Sequence, residues 1–124
     1  MRKSPTFLLA AGLGAVSFSF ATISVYAQEA APAEPTGQQL AFDNKKGNCL
    51  ACHMMPGDSK AVTSATIGPP LVAMKARFPD KAKLRAQIWD ASKANPNTVM
   101  PPFGKNQVLT EQELDKVLEY VYGL

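Results

Sequence analysis

Residues capable of site chemistry are scarce in this chain. Its 124 residues include two cysteines, one histidine and one tryptophan. A single histidine excludes a metal or haem held by two imidazoles of the same chain. Two cysteines and one histidine also fall short of the four ligands of a structural zinc site. Charge of one sign is scarce too: 13 Lys and Arg against 10 Asp and Glu leave a formal +3, too weak to argue for nucleic-acid binding. Clear strand alternation is missing, which leaves helices as the building material. The length excludes a TIM barrel or a two-domain enzyme. Hydrophobic residues are not lacking; at 46% they allow a folded domain.

Arg2 and Lys3 precede an uncharged, largely apolar run that ends in Val25-Tyr26-Ala27. A basic start, an apolar centre and small residues at a cut site describe a secretory signal peptide over residues 1–27. A transmembrane anchor is the alternative, but Gly12, Gly14 and several serines dilute the run. Removing 27 of the 124 residues leaves 97, and losing Arg2 and Lys3 lowers the formal charge from +3 to +1. The expected location is the periplasm, with no membrane association after cleavage. Residues 28–36 read as a flexible lead-in. Residues 37–124 form the domain, which is small enough to profit from a bound cofactor.

Both cysteines and the histidine fall in one motif, Cys49-Leu50-Ala51-Cys52-His53. In an exported protein two cysteines usually pair as a disulfide. Here they form the C-x-x-C-H signature of covalent haem c attachment. Each thiol adds across a haem vinyl group, and the adjacent imidazole reaches the iron. A thioredoxin-like redox pair needs a βαβ setting, which the surrounding sequence does not supply. One covalent haem c is therefore expected, with Cys49 and Cys52 as thioethers and His53 as axial ligand.

The second axial ligand must come from elsewhere, and methionine is the usual donor in cytochromes c. After the signal segment the candidates are Met54, Met55, Met74 and Met100. Met54 and Met55 follow His53 directly and lie on its side of the haem. Met74 sits in a short apolar stretch whose plain reading is core packing. Met100 opens Met100-Pro101-Pro102-Phe103-Gly104, where prolines fix φ and reduce the entropy cost of holding a loop. Met100 is the expected ligand and Met74 the alternative. An iron-bound histidine normally donates its other ring N–H to an oxygen. The Pro69 carbonyl, in Ile67-Gly68-Pro69-Pro70-Leu71, is the candidate acceptor.

Three helices are predicted. The clearest runs from about Glu111 to Tyr122, opened by the capping box Thr110-Glu111-Gln112-Glu113. Leu114, Val117, Leu118 and Val121 form its apolar stripe, and Gly123 ends it. A middle helix starts after Asp80 as N-cap and continues through Ser92. Its stripe is Leu84, Ile88 and Ala91, with Trp89 beside it in a packing role. A first helix is placed around Gly37 to Lys46. The fold class is all-α, with Pro/Gly-rich loops lying against the haem.

This set of elements resembles class I cytochrome c over the whole mature domain. In that family the first and last helices cross tightly, and Phe42 and Tyr120 are candidates for the contact. Three stretches also resemble SoxX, the small monohaem subunit of the SoxAX cytochrome. They are the block around Cys49-Leu50-Ala51-Cys52-His53, the run from Ile67 to Ser92, and Asn95-Pro96-Asn97-Thr98-Val99-Met100-Pro101-Pro102-Phe103-Gly104.

The resemblance implies periplasmic sulfur oxidation. The two-subunit complex, an L-cysteine S-thiosulfotransferase, couples thiosulfate oxidatively to a carrier-protein cysteine and releases two electrons. Its catalytic residues are expected on a SoxA-type cytochrome subunit in a heterodimer, and none on this chain. The carrier would be of SoxYZ type, and a soluble cytochrome c would take the electrons. The residues agree with that division. With both thiols alkylated and His53 on iron, this chain retains no thiolate nucleophile and no histidine base.

A freestanding periplasmic cytochrome c shuttle has the same ligands and is the competing reading. A subunit should carry an apolar patch beside the haem edge, and a shuttle a charged rim. Leu71, Val72, Met74, Phe78 and Phe103 are candidates for such a patch, with the core as their alternative place. A five-coordinate ligand sensor or small haem enzyme is a third reading, which requires Met100 not to bind.

Overall fold

The computed structural model describes residues 33–124. The expected signal peptide at residues 1–27, and the lead-in before residue 33, lie outside the described residues. Four α-helices run in the order α1 (Gly37–Phe42), α2 (Met74–Arg77), α3 (Lys81–Trp89) and α4 (Glu111–Tyr122). Short 3-10 turns occur at Cys49–Ala51 and Ala91–Lys93. Among the described residues there is no strand, and no helix is long and apolar enough to cross a membrane.

α4 is the spine. Thr110 Oγ1 accepts from the Glu113 N–H, and the Glu113 side chain accepts from the Thr110 N–H. This reciprocal cap satisfies two otherwise orphaned donors. Leu114, Val117, Leu118 and Val121 are all buried, each contributing about 1.5–3 kcal/mol of hydrophobic stabilisation.

α1 crosses α4 at close range. A β-carbon on Gly37 would lie 2.0 Å from the Lys116 carbonyl oxygen, so only glycine permits this approach. Phe42 and Tyr120 meet edge to face, with ring centroids 6.0 Å apart. The Tyr120 hydroxyl donates to Asp58 Oδ2 at 2.7 Å, and Gln38 Nε2 donates to the same oxygen. Burial, and then the Asp58 carboxylate, push the Tyr120 hydroxyl well above its ordinary pKa. The segment after the cysteine motif is thereby fastened to the α1–α4 pair.

The first helix is shorter than the sequence predicts, ending at Phe42 rather than Lys46. Asp43 leaves the helical region at ψ 120°, its side chain accepts from the Lys45 N–H, and the Gly47 N–H returns to the Leu40 carbonyl. Folding begins before residue 37. Thr36 caps α1, and the Glu34 carboxylate lies 2.6 Å from Lys116 Nζ.

The middle helix is also shorter than predicted. Asp80 caps it through the Ala82 N–H, but α3 ends at Trp89. There Asp90 accepts from the Ser92 N–H and turns the chain into a 3-10 segment. Met74 does not lead into α3; it opens α2, a separate single turn. Ala73 sets that turn from the left-handed region (φ 52°), and its N–H donates to the Leu124 carbonyl. α3 packs on α4 through buried Leu84 and Ile88, with ion pairs Lys81–Glu119 and Arg85–Asp115 at the rim.

Candidate haem-binding site

Asn48 stands in the left-handed region (φ 44°) and starts the 3-10 turn that carries the cysteines. The His53 N–H donates to the Cys49 carbonyl at 2.9 Å. Cys49, Cys52, His53, Pro69 and Met100 all line one cavity of about 750 Å³. Leu71, Met74, Ile88, Phe103, Val117 and Val121 give it an apolar wall.

His53 is held from one side. Its Nδ1 lies 2.7 Å from the Pro69 carbonyl oxygen. A carbonyl only accepts, so Nδ1 carries the hydrogen and Nε2 keeps its lone pair for a metal. The neighbouring glycine makes this possible. A β-carbon on Gly68 would fall 2.3 Å from His53 Cε1. The Gly68 N–H donates to the Cys52 carbonyl at 2.8 Å, and Arg77 Nη1 donates to the Pro70 carbonyl at 2.7 Å. The Gly68-Pro69-Pro70 turn is thus fixed to the motif at one end and to α2 at the other.

Cys49 and Cys52 are half-buried and do not pair as a disulfide. Desolvation, reinforced by the neighbouring Cys52, pushes the Cys49 thiol up to about 11. A thiol in that environment stays protonated at neutral pH and is no activated nucleophile.

The four methionines divide cleanly. Met54 and Met55 do not line the cavity. Met55 is buried in the core, its sulfur 3.4 Å from the Tyr120 hydroxyl. Met74 lines the cavity, but its sulfur lies 3.4 Å from Arg77 Nη1, which occupies it as an acceptor. Met100 lines the cavity on the loop after α3, with its N–H donated to Thr98 Oγ1 at 3.1 Å. At the far end of that loop, the Gly104 and Lys105 N–H groups both donate to the Trp89 carbonyl at 3.2 Å. Gly104 lies against the Trp89 indole, where a β-carbon would come within 2.0 Å of the ring. Trp89 therefore anchors the loop as well as packing. No periodicity signals this role, because a backbone carbonyl and a glycine make the contact.

The expected apolar patch is placed differently. Leu71, Met74 and Phe103 are buried in the core and Phe78 is half-buried, because they wall the cavity from inside. Only Val72 of that set is exposed. The large apolar side chains that line the cavity and stand exposed are Ile67 (67% exposed) and Val99 (76%). The charged residues that line it are Lys46 and Arg77. Lys46 pairs with Glu113 at 2.8 Å, and Arg77 is engaged with Pro70.

A covalent haem needs two thiols at matched spacing, an imidazole with a free nitrogen, a second axial donor and an apolar slot. The residues around this cavity supply each of them, so the site fits the group. Comparison with known proteins agrees. Residues 35–121 match the family described as cytochrome c oxidase, cbb3-type, subunit III. An uncharacterized lipoprotein of Aquifex aeolicus (strain VF5) is 30% identical over 79 residues, which cover 64% of this chain. The match spans 37% of that relative's own length. The chain therefore belongs to the cbb3-type subunit III family of c-type cytochrome domains and has the all-α class I cytochrome c fold, a type of domain that implies covalent haem c and electron transfer.

Proposed function

We propose that this chain is the small, SoxX-type subunit of a SoxAX-type complex. It would receive electrons when thiosulfate is coupled to a carrier-protein cysteine. In this reading Cys49 and Cys52 would hold one haem c covalently, His53 and Met100 would bind its iron, and Pro69 would orient His53. When bound, the haem supplies a one-electron iron couple. The chain's own residues would attach it through Cys49 and Cys52, orient the His53 imidazole from the Gly68-Pro69-Pro70 turn, exclude water with the apolar wall, and offer His53 and Met100 to the iron. With no open iron position and no free thiol or imidazole, substrate chemistry falls to the partner subunit.

The observation that carries the subunit reading is the character of the cavity mouth. Ile67 and Val99 stand exposed and line the cavity with Asn95, Asn97 and Thr98, and its two charged lining residues, Lys46 and Arg77, are engaged by Glu113 and the Pro70 carbonyl. Apolar and uncharged polar groups suit a lasting protein interface, whereas a diffusing shuttle relies on a charged rim. The Asn95–Gly104 block, which resembles SoxX, forms part of that mouth. The Aquifex aeolicus relative is a lipoprotein, which supports an exported, periplasmic setting.

Co-purification from the periplasm of the native host tests the proposal. A larger c-type cytochrome is expected to accompany this chain, and Val99→Asp protein is expected to lose it. Recovery of the wild-type chain alone, as a fully haem-loaded monomer, would contradict the subunit reading.

A further inference from the structure

Asp90 is the buried charged residue that the site description has not used. It is 2% exposed, at the junction of α3 and the following 3-10 turn. Its Oδ1 accepts from the Ser92 N–H and from the Ser92 hydroxyl. Its Oδ2 is buried, makes no hydrogen bond, and faces Lys105 Nζ at 3.1 Å. The contact is therefore charge against charge rather than an aligned hydrogen bond. Lys105 is the residue whose N–H, with that of Gly104, is donated to the Trp89 carbonyl.

We propose that Asp90 is a positioning residue for the axial methionine: through Lys105 it clamps the end of the loop that presents Met100. Asp90 Oδ2 is buried and has the half-exposed Lys105 ammonium group as its charged partner, so the carboxylate draws the loop end toward α3. The Ser92 hydroxyl and Lys105 keep the Asp90 carboxyl below its ordinary range, so the charge is present at neutral pH. The loop end is also held by the shared Trp89 carbonyl, by Gly104 packed on the Trp89 indole and by buried Phe103, and among these contacts the Asp90–Lys105 pair is the charged one. Removing the charge frees Lys105 and leaves the Trp89 contacts and buried Phe103 to hold the loop end without a charged tie. The loop then opens locally more often, without unfolding of the α1–α4 frame.

The inference rests on Met100 serving as a ligand, and its test separates the two claims. The haem-loaded ferric protein is mixed with cyanide, which binds only when the methionine has left the iron. Asp90→Asn keeps an acceptor for Ser92 but removes the charge. Its cyanide association is expected to accelerate by on the order of tenfold, as is that of Lys105→Met, because each removes the one charge-assisted contact of the clamp. Lys105→Arg is expected to restore the slow rate. Phe42→Leu, which loosens the α1–α4 crossing, is expected to lower the Tm without changing the rate. Amide hydrogen exchange at Gly104 and Lys105 is expected to quicken in Asp90→Asn protein. Wild-type protein binding cyanide as fast as Met100→Ala protein would overturn the ligand assignment itself. Unchanged exchange and cyanide rates in Asp90→Asn, or equal acceleration by Phe42→Leu, would overturn the clamp alone.

Discussion

Where α1 crosses α4, side chains and backbone meet directly: Gly37 lies under the Lys116 carbonyl, Phe42 against Tyr120, and a continuous apolar stripe lies beneath them. Around the cavity the materials are different. Single-turn helices, prolines and short loops are held by backbone N–H groups on the Cys52 and Trp89 carbonyls and by the Arg77 guanidinium on the Pro70 carbonyl. The first region has a repeating pattern and buries area. The second has no period and places individual atoms, such as Pro69 O, His53 Nδ1 and the Met100 side chain. Stability and ligand placement are therefore separable in this molecule, and substitutions in the two regions should have different signatures.

The largest expected stability effect lies in the frame. Leu114 is fully buried on α4, and Leu114→Ala should cost about 2–5 kcal/mol. Denaturant unfolding would measure this loss, and the visible spectrum of the folded holoprotein should stay as in wild type. Gly37→Ala comes next, because its β-carbon would meet backbone and not a flexible tip. Overpacking of this kind costs about 1–3 kcal/mol, again with an unchanged ligand spectrum. A ligand spectrum altered by either variant would break the separation.

Gly68→Ala sharpens the same comparison from the other side. The added methyl overlaps the His53 ring, so the ring must rotate away from the Pro69 carbonyl. The expected outcome is a changed reduction potential and visible spectrum, with a stability loss of about 1–3 kcal/mol, no larger than that of Gly37→Ala. Unchanged redox behaviour would show that the orientation of His53 does not depend on this turn.

The smallest effect concerns the link between the regions. Lys46, before the cysteine motif, pairs with Glu113 of the α4 cap. Lys46 and the Thr110 N–H hold the Glu113 carboxyl below its ordinary range. A carboxyl depressed in the folded state stabilises the fold above its ordinary value near 4.5 and loses that contribution as pH falls below it. The Tm should hold near neutral pH and fall below about pH 4.5. In Lys46→Met protein that acid-sensitive component should shrink, with a loss at neutral pH of up to about 1 kcal/mol.

The difference between the regions also explains how much the sequence revealed. α4 was legible from cap to stop, because Thr110, Glu113 and the stripe Leu114, Val117, Leu118 and Val121 repeat a known period. Asp80 as a cap was legible for the same reason. Gathering of Cys49, Cys52, His53, Pro69 and Met100 at one cavity followed motifs rather than periods. The ends of α1 and α3 were not legible. Side chains at Asp43 and Asp90 redirect the backbone there, and nothing in the hydrophobic pattern marks them. Ala73 was not legible either, because its left-handed turn is imposed by the bond to Leu124. Burial of Leu71, Met74 and Phe103, with exposure of Ile67 and Val99, depends on which side of the cavity wall each backbone turn places them. Sequence spacing carries no such information.

In the reading proposed above, His53 and Met100 would hold the iron from both sides, and it would relay electrons without binding substrate. The direct test compares the ferric absorption of the wild-type holoprotein with that of Met100→Ala protein. The account predicts the weak far-red methionine–iron band and slow cyanide binding in the wild type, with the band lost and cyanide binding fast in the variant. Identical spectra and identical cyanide rates in the two proteins would contradict it.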